Sequence, residues 1–105
     1  MMGVEARYAA LIEQFGARPG VSVPQRKGFG SGTLCVNDRI FAMLTRDHLV
    51  VKLPARRVSE LIAGGQGSTF DASKGKSMRE WLSVADDADW TALAEEALSF
   101  VGSRP

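Results

Sequence analysis

The chain has 105 residues, of which 45% are hydrophobic and 24% are charged, and its formal net charge is +1. This composition is typical of an ordinary globular protein, and it argues against a disordered chain or a strongly basic one. A chain of this length can bury roughly two-thirds of the surface that its unfolded form exposes. We therefore predict a small single domain over residues 1–105.

The charges are divided unevenly along the chain. Residues 1–79 carry 12 Lys or Arg and 6 Asp or Glu, whereas residues 80–105 carry 1 and 6. If the acidic C-terminal helix packs away from the basic residues, the folded surface will be bipolar.

The single cysteine, Cys35, excludes an internal disulfide and favours a reducing compartment. No apolar run approaches the roughly 20 residues that cross a bilayer. The N-terminal stretch has an acid at Glu5 and lacks the basic region of a signal peptide. The sequence therefore predicts a cytoplasmic protein with no membrane segment.

The first half of the chain predicts a helix followed by short strands. Apolar residues between Val4 and Phe15 recur at helical spacing, which predicts a helix over 3–15 with Gly16 as a left-handed cap. Alternating valines before Pro24 indicate an edge strand at best. Strands are then predicted over 33–36, 39–45 and 48–53. The turn Asn37-Asp38 joins the first two strands as a hairpin. The turn Arg46-Asp47 leads to the third, so the three strands should form an antiparallel meander.

The second half is predicted to hold a helix, a loop, a strand and a last helix. Pro54 is suited to the first helical turn, so a helix is expected over 54–63, stopped by two glycines. The polar, glycine-rich residues 64–77 are predicted to form a loop that Phe70 anchors, with at most a very short strand around it. Alternation predicts the last strand over 78–84. Aspartates before Trp90 then begin a helix that Gly102 ends.

Two glycine-containing motifs resemble nucleotide sites but lack their requirements. KGFGSG has Thr33 where a dinucleotide fingerprint needs its third glycine, and a strand follows in place of a helix. KGKS, at 74–77, has Phe70 where a phosphate-binding loop needs glycine. A weak anion site that uses Lys74, Lys76 and backbone N–H groups remains an alternative for the second motif.

No catalytic, cofactor or metal set is predicted. His48 has no second histidine or cysteine close in sequence, so a metal site is unsupported. A catalytic triad of His48 with Asp47 and a serine can be recognised only from the geometry of the three side chains, and not from their presence in the sequence. Cys35 is interpreted as a small buried side chain in a strand rather than as a nucleophile.

Basic residues are the strongest candidates for contacts with a partner. Arg56 and Arg57 fall in the first turn of the second predicted helix, where cations oppose the helix dipole, and this favours an external use such as phosphate contact. The alternative is a solvated face with ion pairs to Glu60, Asp71 or Glu80. The candidate partner or phosphate contacts are Lys52, Arg56, Arg57, Lys74, Lys76 and Arg79.

Several stretches together resemble a known family. They are FGSGTLCVNDRIFAML, HLVVKLP, FDASKGKSMREW and the closing WTALAEEALSFV. Over about residues 4–101 the chain resembles the N-terminal domain of TfoX/Sxy proteins and the related MmcQ/YjbR-like proteins. The resemblance implies an α+β domain of the secretion-chaperone-like class: a helix, an antiparallel meander, a helix, further strands and a last helix. It supplies no catalytic residues.

The resemblance implies a bacterial regulator, since TfoX/Sxy proteins are linked to regulation of competence for DNA uptake. From the extent of the resemblance, we expect this chain to correspond to the N-terminal module without the C-terminal domain of the full-length regulators. We therefore expect a non-enzymatic regulatory or protein-interaction module without cofactors, acting as a homodimer or on a protein partner. The alternative is a nucleic-acid-binding domain that acts through a basic face.

Overall fold

The computed structural model of the chain describes residues 3–23, 33–45, 48–73 and 76–103. These residues form three helices and six strands in one compact domain. Their bounds are α1 Val4–Gly16, β1 Val21–Ser22, β2 Thr33–Val36, β3 Arg39–Thr45, β4 His48–Lys52, α2 Ala55–Ala63, β5 Gly67–Ser73, β6 Lys76–Val84 and α3 Trp90–Gly102.

All six described strands belong to one antiparallel sheet in the order β1-β2-β3-β4-β6-β5. The predicted meander of β2, β3 and β4 is confirmed, as is the edge strand at Val21. The chain leaves β4, forms α2, and returns to the sheet as β5 on the outer edge, so β6 fills the place beside β4. This mixture of one sheet and separate helices confirms the predicted α+β class.

The turn between β2 and β3 is formed by Asn37 and Asp38, as predicted. Their φ angles are 52° and 67°, and Val36 pairs with Arg39 across the hairpin. A two-residue loop with both φ angles positive is the turn whose twist matches that of the flanking strands. The Asn37 side chain also donates to the carbonyl of Gly102 over 3.4 Å, which ties the hairpin to the end of α3.

A β-bulge in β3 places two consecutive side chains in the core. Leu34 pairs with Ala42 but Cys35 pairs with Ile40, so Phe41 is the extra residue. Phe41 and Ala42 are both fully buried. A bulge allows two neighbours on one strand to oppose a single residue on the next.

The three helices pack on one face of the sheet and share one apolar core with it. Tyr8 of α1, Val58 of α2 and Leu93 of α3 belong to the same cluster as Leu49, Val51 and Leu53. Leu49, Val51 and Leu53 were predicted to share one face of the strand, and this prediction is confirmed. The aromatic centre of the core is an edge-on contact of Phe15 with Phe41, with 6.4 Å between ring centroids.

The opposite face of the sheet is less buried, although it is also apolar. Ile40, Met43 and Trp81 are partly buried there, whereas Val50 is fully buried. Cys35 is 6% exposed, which confirms its interpretation as a small buried side chain.

Helix α3 lies between α1 and α2, and ion pairs join it to α2 and to the turn that follows α1. Arg18 donates to Glu95 over 2.7 Å, and Arg57 donates to Glu96. The acidic helix therefore packs against two of the basic residues, Arg18 and Arg57.

The helix ends differ from prediction at two places. Gly16 is the last residue of α1, and Ala17, at φ −85°, ends the helix, so the expected left-handed cap is wrong. Pro54 has an extended backbone, with φ −55° and ψ 143°, and caps α2 rather than opening its first turn. Asp89 begins α3 as predicted, because its side chain accepts a hydrogen bond from the Ala92 N–H over 3.1 Å.

The prediction of a loop over 64–77 is wrong for most of that range, because Gly67–Ser73 forms β5 and β6 begins at Lys76. The strand considered around Phe70 is present and is longer than expected. Glycine at 67 has a packing reason. A Cβ there would lie 2.5 Å from the Ser83 carbonyl oxygen and 2.8 Å from a Leu82 methyl group. The glycine that predicts a loop from composition is therefore what allows β5 to lie against β6.

Candidate functional site

The structure separates the candidate basic residues. Lys52 and Arg57 contact acidic side chains, whereas Arg56 and Arg79 line one recess. Lys74 lies outside the described residues. Lys76 begins β6, but its side chain also lies outside them. The structure does not test the alternative anion site at these two lysines.

The pairing of β4 with β6 explains why Arg56 and Arg79 meet. Lys52, the last residue of β4, pairs with Trp81 of β6, and the N–H of Leu53 bonds the Glu80 carbonyl over 2.9 Å. Because the strands are antiparallel, residues after Lys52 approach residues before Trp81. Helix α2 begins there, so its first turn lies beside Arg79.

The recess has a volume of about 370 Å³ and lies between α2 and the β5–β6 edge of the sheet. Its polar lining consists of Arg56, Arg79 and the hydroxyl residues Ser59 and Thr69. Its apolar lining is Ala55, Val58 and Ile62. Among the described residues that line the recess, two are cationic and none is acidic.

Both recess arginines are exposed, and neither has a hydrogen bond or ion pair within the residues that the structure describes. A guanidinium presents five N–H donors in a planar fork, which matches carboxylate and phosphate oxygens. The pair is therefore available to an external anion.

Arg57 has a different role, although it follows Arg56 directly. Its Nε donates to Glu96 Oε1 over 2.9 Å and its Nη2 donates to Glu96 Oε2 over 3.0 Å. Its Nη1 also lies 3.5 Å from Glu60 Oε1. The hydrogen bond and charge of Glu96, with a smaller contribution from Glu60, raise the pKa of Arg57. This guanidinium joins α2 to α3, and the predicted pairing with Glu60 is present.

Lys52 is also engaged by neighbouring side chains. Its Nζ lies 4.0 Å from Glu80 Oε1 and 5.4 Å from the centroid of the Trp81 ring. Lys52 is therefore attracted both to a carboxylate and to an aromatic face of its own chain. The predicted pairing of a basic residue with Glu80 is present here.

His48 and Cys35 do not form a recognisable chemical group. His48 is exposed, and its Nδ1 lies 3.7 Å from Asp86 Oδ1. The sulfur of Cys35 lies 3.8 Å from the Thr33 hydroxyl. Asp47 lies outside the described residues, so the triad alternative is not tested there. Among the described residues, no three His, Cys, Asp or Glu side chains are grouped as a metal site requires.

A second recess, of about 300 Å³, lies between α1 and the start of α3. The arginine that lines this recess, Arg7, already makes contacts within the protein. Arg7 lies 3.8 Å from the centroid of the Trp90 ring and donates to the Asp86 carbonyl over 2.7 Å. Trp90 in turn donates to the Ala85 carbonyl over 3.1 Å. These contacts join α1 to the turn before α3, so we interpret this recess as part of the helix packing.

Sequence reasoning identified Arg56 and Arg79 but missed Ser59 and Thr69. Ser59 lies one turn after Ala55 on the same face of α2, so helical spacing could have placed it beside the first turn. Thr69 could not have been found, because its strand was predicted as a loop.

No helix in the described part of the chain is long and apolar enough to cross a membrane. Comparisons with protein-family models, with curated proteins and with solved structures found no match to this chain.

Proposed function

We propose that this chain is a non-enzymatic protein-interaction module that binds an acidic group of a protein partner in the recess between α2 and the β5–β6 edge. The observation that carries the proposal is the arginine pair. Arg56 and Arg79 line one recess without a partner among the described residues, while their neighbours Lys52 and Arg57 are engaged by carboxylates.

The shape of the recess supports a partner side chain as its occupant. Its apolar wall, which includes the buried Val58, can pack on the aliphatic part of a side chain while the arginines bind the charged end. Buried apolar contact with a few placed polar groups is the usual composition of a binding pocket.

We further propose membership of the TfoX N-terminal-like family and a regulatory role. The order of elements supports this proposal, because helix, meander, helix, two strands and helix is the order that the resemblance implies. The cytoplasmic location is likewise a proposal, which rests on the sequence features described above.

The test begins with capture from a bacterial lysate by immobilised protein, with quantitative mass spectrometry to identify what is bound. Wild-type protein is compared with Arg56→Ala/Arg79→Ala and with the charge-matched control Arg18→Ala/Arg57→Ala. Both control residues are bonded to glutamates of α3 and do not line the recess. Thermal unfolding of all three proteins checks that each is folded.

A captured protein supports the proposal only after it is purified and its binding is measured directly. We expect its affinity to fall roughly tenfold or more with Arg56→Ala/Arg79→Ala, since charged hydrogen bonds are lost, and to change little with the control. If no purified protein binds in a manner that depends on the recess arginines, the proposal is wrong.

Nucleic acid is the alternative partner, and the same variants test it. Binding of labelled single-stranded and duplex DNA is measured by anisotropy at about 50 mM salt, where non-specific phosphate contacts are strong. Lys52 and Arg57 are engaged by carboxylates, which leaves a smaller basic face than the sequence predicts. DNA binding that is lost equally in both double variants would favour this alternative and contradict a protein-specific recess.

A further inference from the structure

The recess between α2 and the β5–β6 edge also suggests which acidic group it accepts. Resting on the proposed function, we infer that its ligand is a phosphate monoester on a partner side chain, as in phosphoserine or phosphothreonine, rather than a carboxylate.

The first argument is the number of donors. Two guanidiniums and two hydroxyl groups, those of Ser59 and Thr69, line the recess. A carboxylate offers two acceptor oxygens, which one arginine can satisfy through parallel hydrogen bonds. A phosphate monoester offers three acceptor oxygens, so it can use both arginines together with a hydroxyl donor.

The second argument is charge. Arg56 and Arg79 are both cationic, and none of the described residues that line their recess is acidic. A phosphate monoester carries about −1.5 to −2 charges at pH 7, which balances two arginines, whereas a carboxylate balances one. A single carboxylate would leave one guanidinium without a counter-charge.

The third argument is the contrast with Arg57 on the same helix. A glutamate carboxylate satisfies Arg57 with two bonds from one guanidinium, at 2.9 and 3.0 Å. The chain therefore contains its own example of carboxylate recognition, and it uses one arginine. The recess contains two.

The experiment uses chemically defined probes and NMR of ¹⁵N-labelled full-length protein. The probes are inorganic phosphate and three acetylated, amidated tripeptides with phosphoserine, glutamate or serine between two alanines. Chemical shifts of the Arg56 and Arg79 backbone amides and of their Nε–H groups report occupancy of the recess.

We expect inorganic phosphate and the phosphoserine peptide to give saturable shifts at the recess, with dissociation constants on the order of 1 mM for such small probes. The glutamate peptide should bind at least several-fold more weakly, and the serine peptide should not bind. Arg56→Ala and Arg79→Ala should each weaken phosphoserine binding roughly tenfold, because a charge-assisted bidentate contact is lost.

Lysine replacements and a neighbouring arginine make the test specific. Arg56→Lys and Arg79→Lys keep the charge but lose the planar fork, so each should still weaken binding. Arg57→Ala should leave binding unchanged, because Arg57 is bonded to Glu96. Equal affinity for the glutamate and phosphoserine peptides, or no saturable shift at the recess with either phosphate probe, would overturn the inference.

Failure of this inference can be distinguished from failure of the proposed function. A purified partner whose binding needs Arg56 and Arg79 but survives phosphatase treatment would support the interaction module and overturn the phosphate assignment. Shifts with inorganic phosphate but none with the phosphoserine peptide would show that the recess binds free phosphate. They would overturn the inference that the phosphate belongs to a partner side chain.

Discussion

Arg57 and Glu96 form a two-bond ion pair that joins the first turn of α2 to the middle of α3. The two residues are 39 positions apart, and each side chain is 40% exposed. Exposed pairs usually contribute little to stability, but two parallel bonds give this one a fixed geometry.

Removal of this pair should cause a small, coupled loss of stability. Arg57→Ala and Glu96→Ala should each lower the melting temperature by about 1–3 °C, since the pair is exposed and the domain is small. The double variant should lose less than the sum of the single losses. Thermal unfolding followed by circular dichroism at low and high salt measures this double-mutant cycle. Additive losses at both salt concentrations would show that the ion pair contributes nothing to stability.

Truncation of Phe41 should destabilise the domain strongly. Phe41 is fully buried and contacts Phe15 edge-on. Phe41→Ala should cost about 3–5 kcal/mol in the free energy of unfolding, because it leaves a cavity in the shared core. Urea unfolding measures the loss. Phe100→Ala is the control, since Phe100 is only partly buried, and an equal cost in both variants would contradict this account of the core.

The hairpin turn should respond to glycine in a position-specific way. Asp38 has a φ angle of 67°, which side chains with a Cβ rarely adopt. Asp38→Gly should stabilise the domain by about 0.5 kcal/mol, and Asp38→Val should destabilise it by about 1–2 kcal/mol.

Asp87→Gly is the control for the turn, because Asp87 lies in a turn without a positive φ angle. It should give no gain in urea unfolding. A gain of the same size at both positions would mean that the left-handed backbone of Asp38 is not the cause.

The single tyrosine should make the domain sensitive to alkali. Tyr8 is fully buried, and burial, with a smaller effect of Cys35, raises its pKa above the ordinary value of 10.0. The folded state therefore holds the proton to higher pH than the unfolded state does. The stability that this supplies is complete below about pH 10 and is lost as the pH rises from there towards the raised pKa.

Absorbance at 295 nm follows Tyr8 alone, because the chain contains no other tyrosine. In the native protein the phenol should not ionise near pH 10 but only as the domain unfolds, whereas in denaturant it should titrate near 10. Tyr8→Phe should reduce the loss of stability between about pH 10 and 12. Normal ionisation in the folded protein would contradict the burial of this hydroxyl group.

Local sequence patterns predicted the centre of the fold well. The bounds of β2 and β3 agree with prediction, because β-branched and apolar runs meet at Asn37-Asp38, a dipeptide suited to left-handed angles. The length of strand β5 was underestimated because GSTFDAS has neither alternation nor an apolar run. The segment is a strand because Gly67 allows close approach to β6, a tertiary effect that composition does not reveal.

The site could be predicted only as a set of residue types. The cations at the start of α2, where acidic residues are usual, drew attention to Arg56, but the same reasoning applied equally to Arg57. Their different roles depend on Glu96, a residue far along the chain. The meeting of Arg56 with Arg79 depends on β6, rather than β5, lying beside β4. Strand order of this kind is set by long-range packing.

The position of α3 between the other two helices has a consequence for synthesis of the protein. Ala94, Ala97 and Val101 of this helix complete the core over the sheet. Glu95 pairs with Arg18 after α1, and Glu96 pairs with Arg57 of α2. α3 is the last element to be synthesised. When the ribosome has released residues only as far as β6, every described strand is present but the apolar face that α3 covers is still exposed. We expect the nascent chain to be prone to aggregation and to bind chaperones until α3 leaves the exit tunnel.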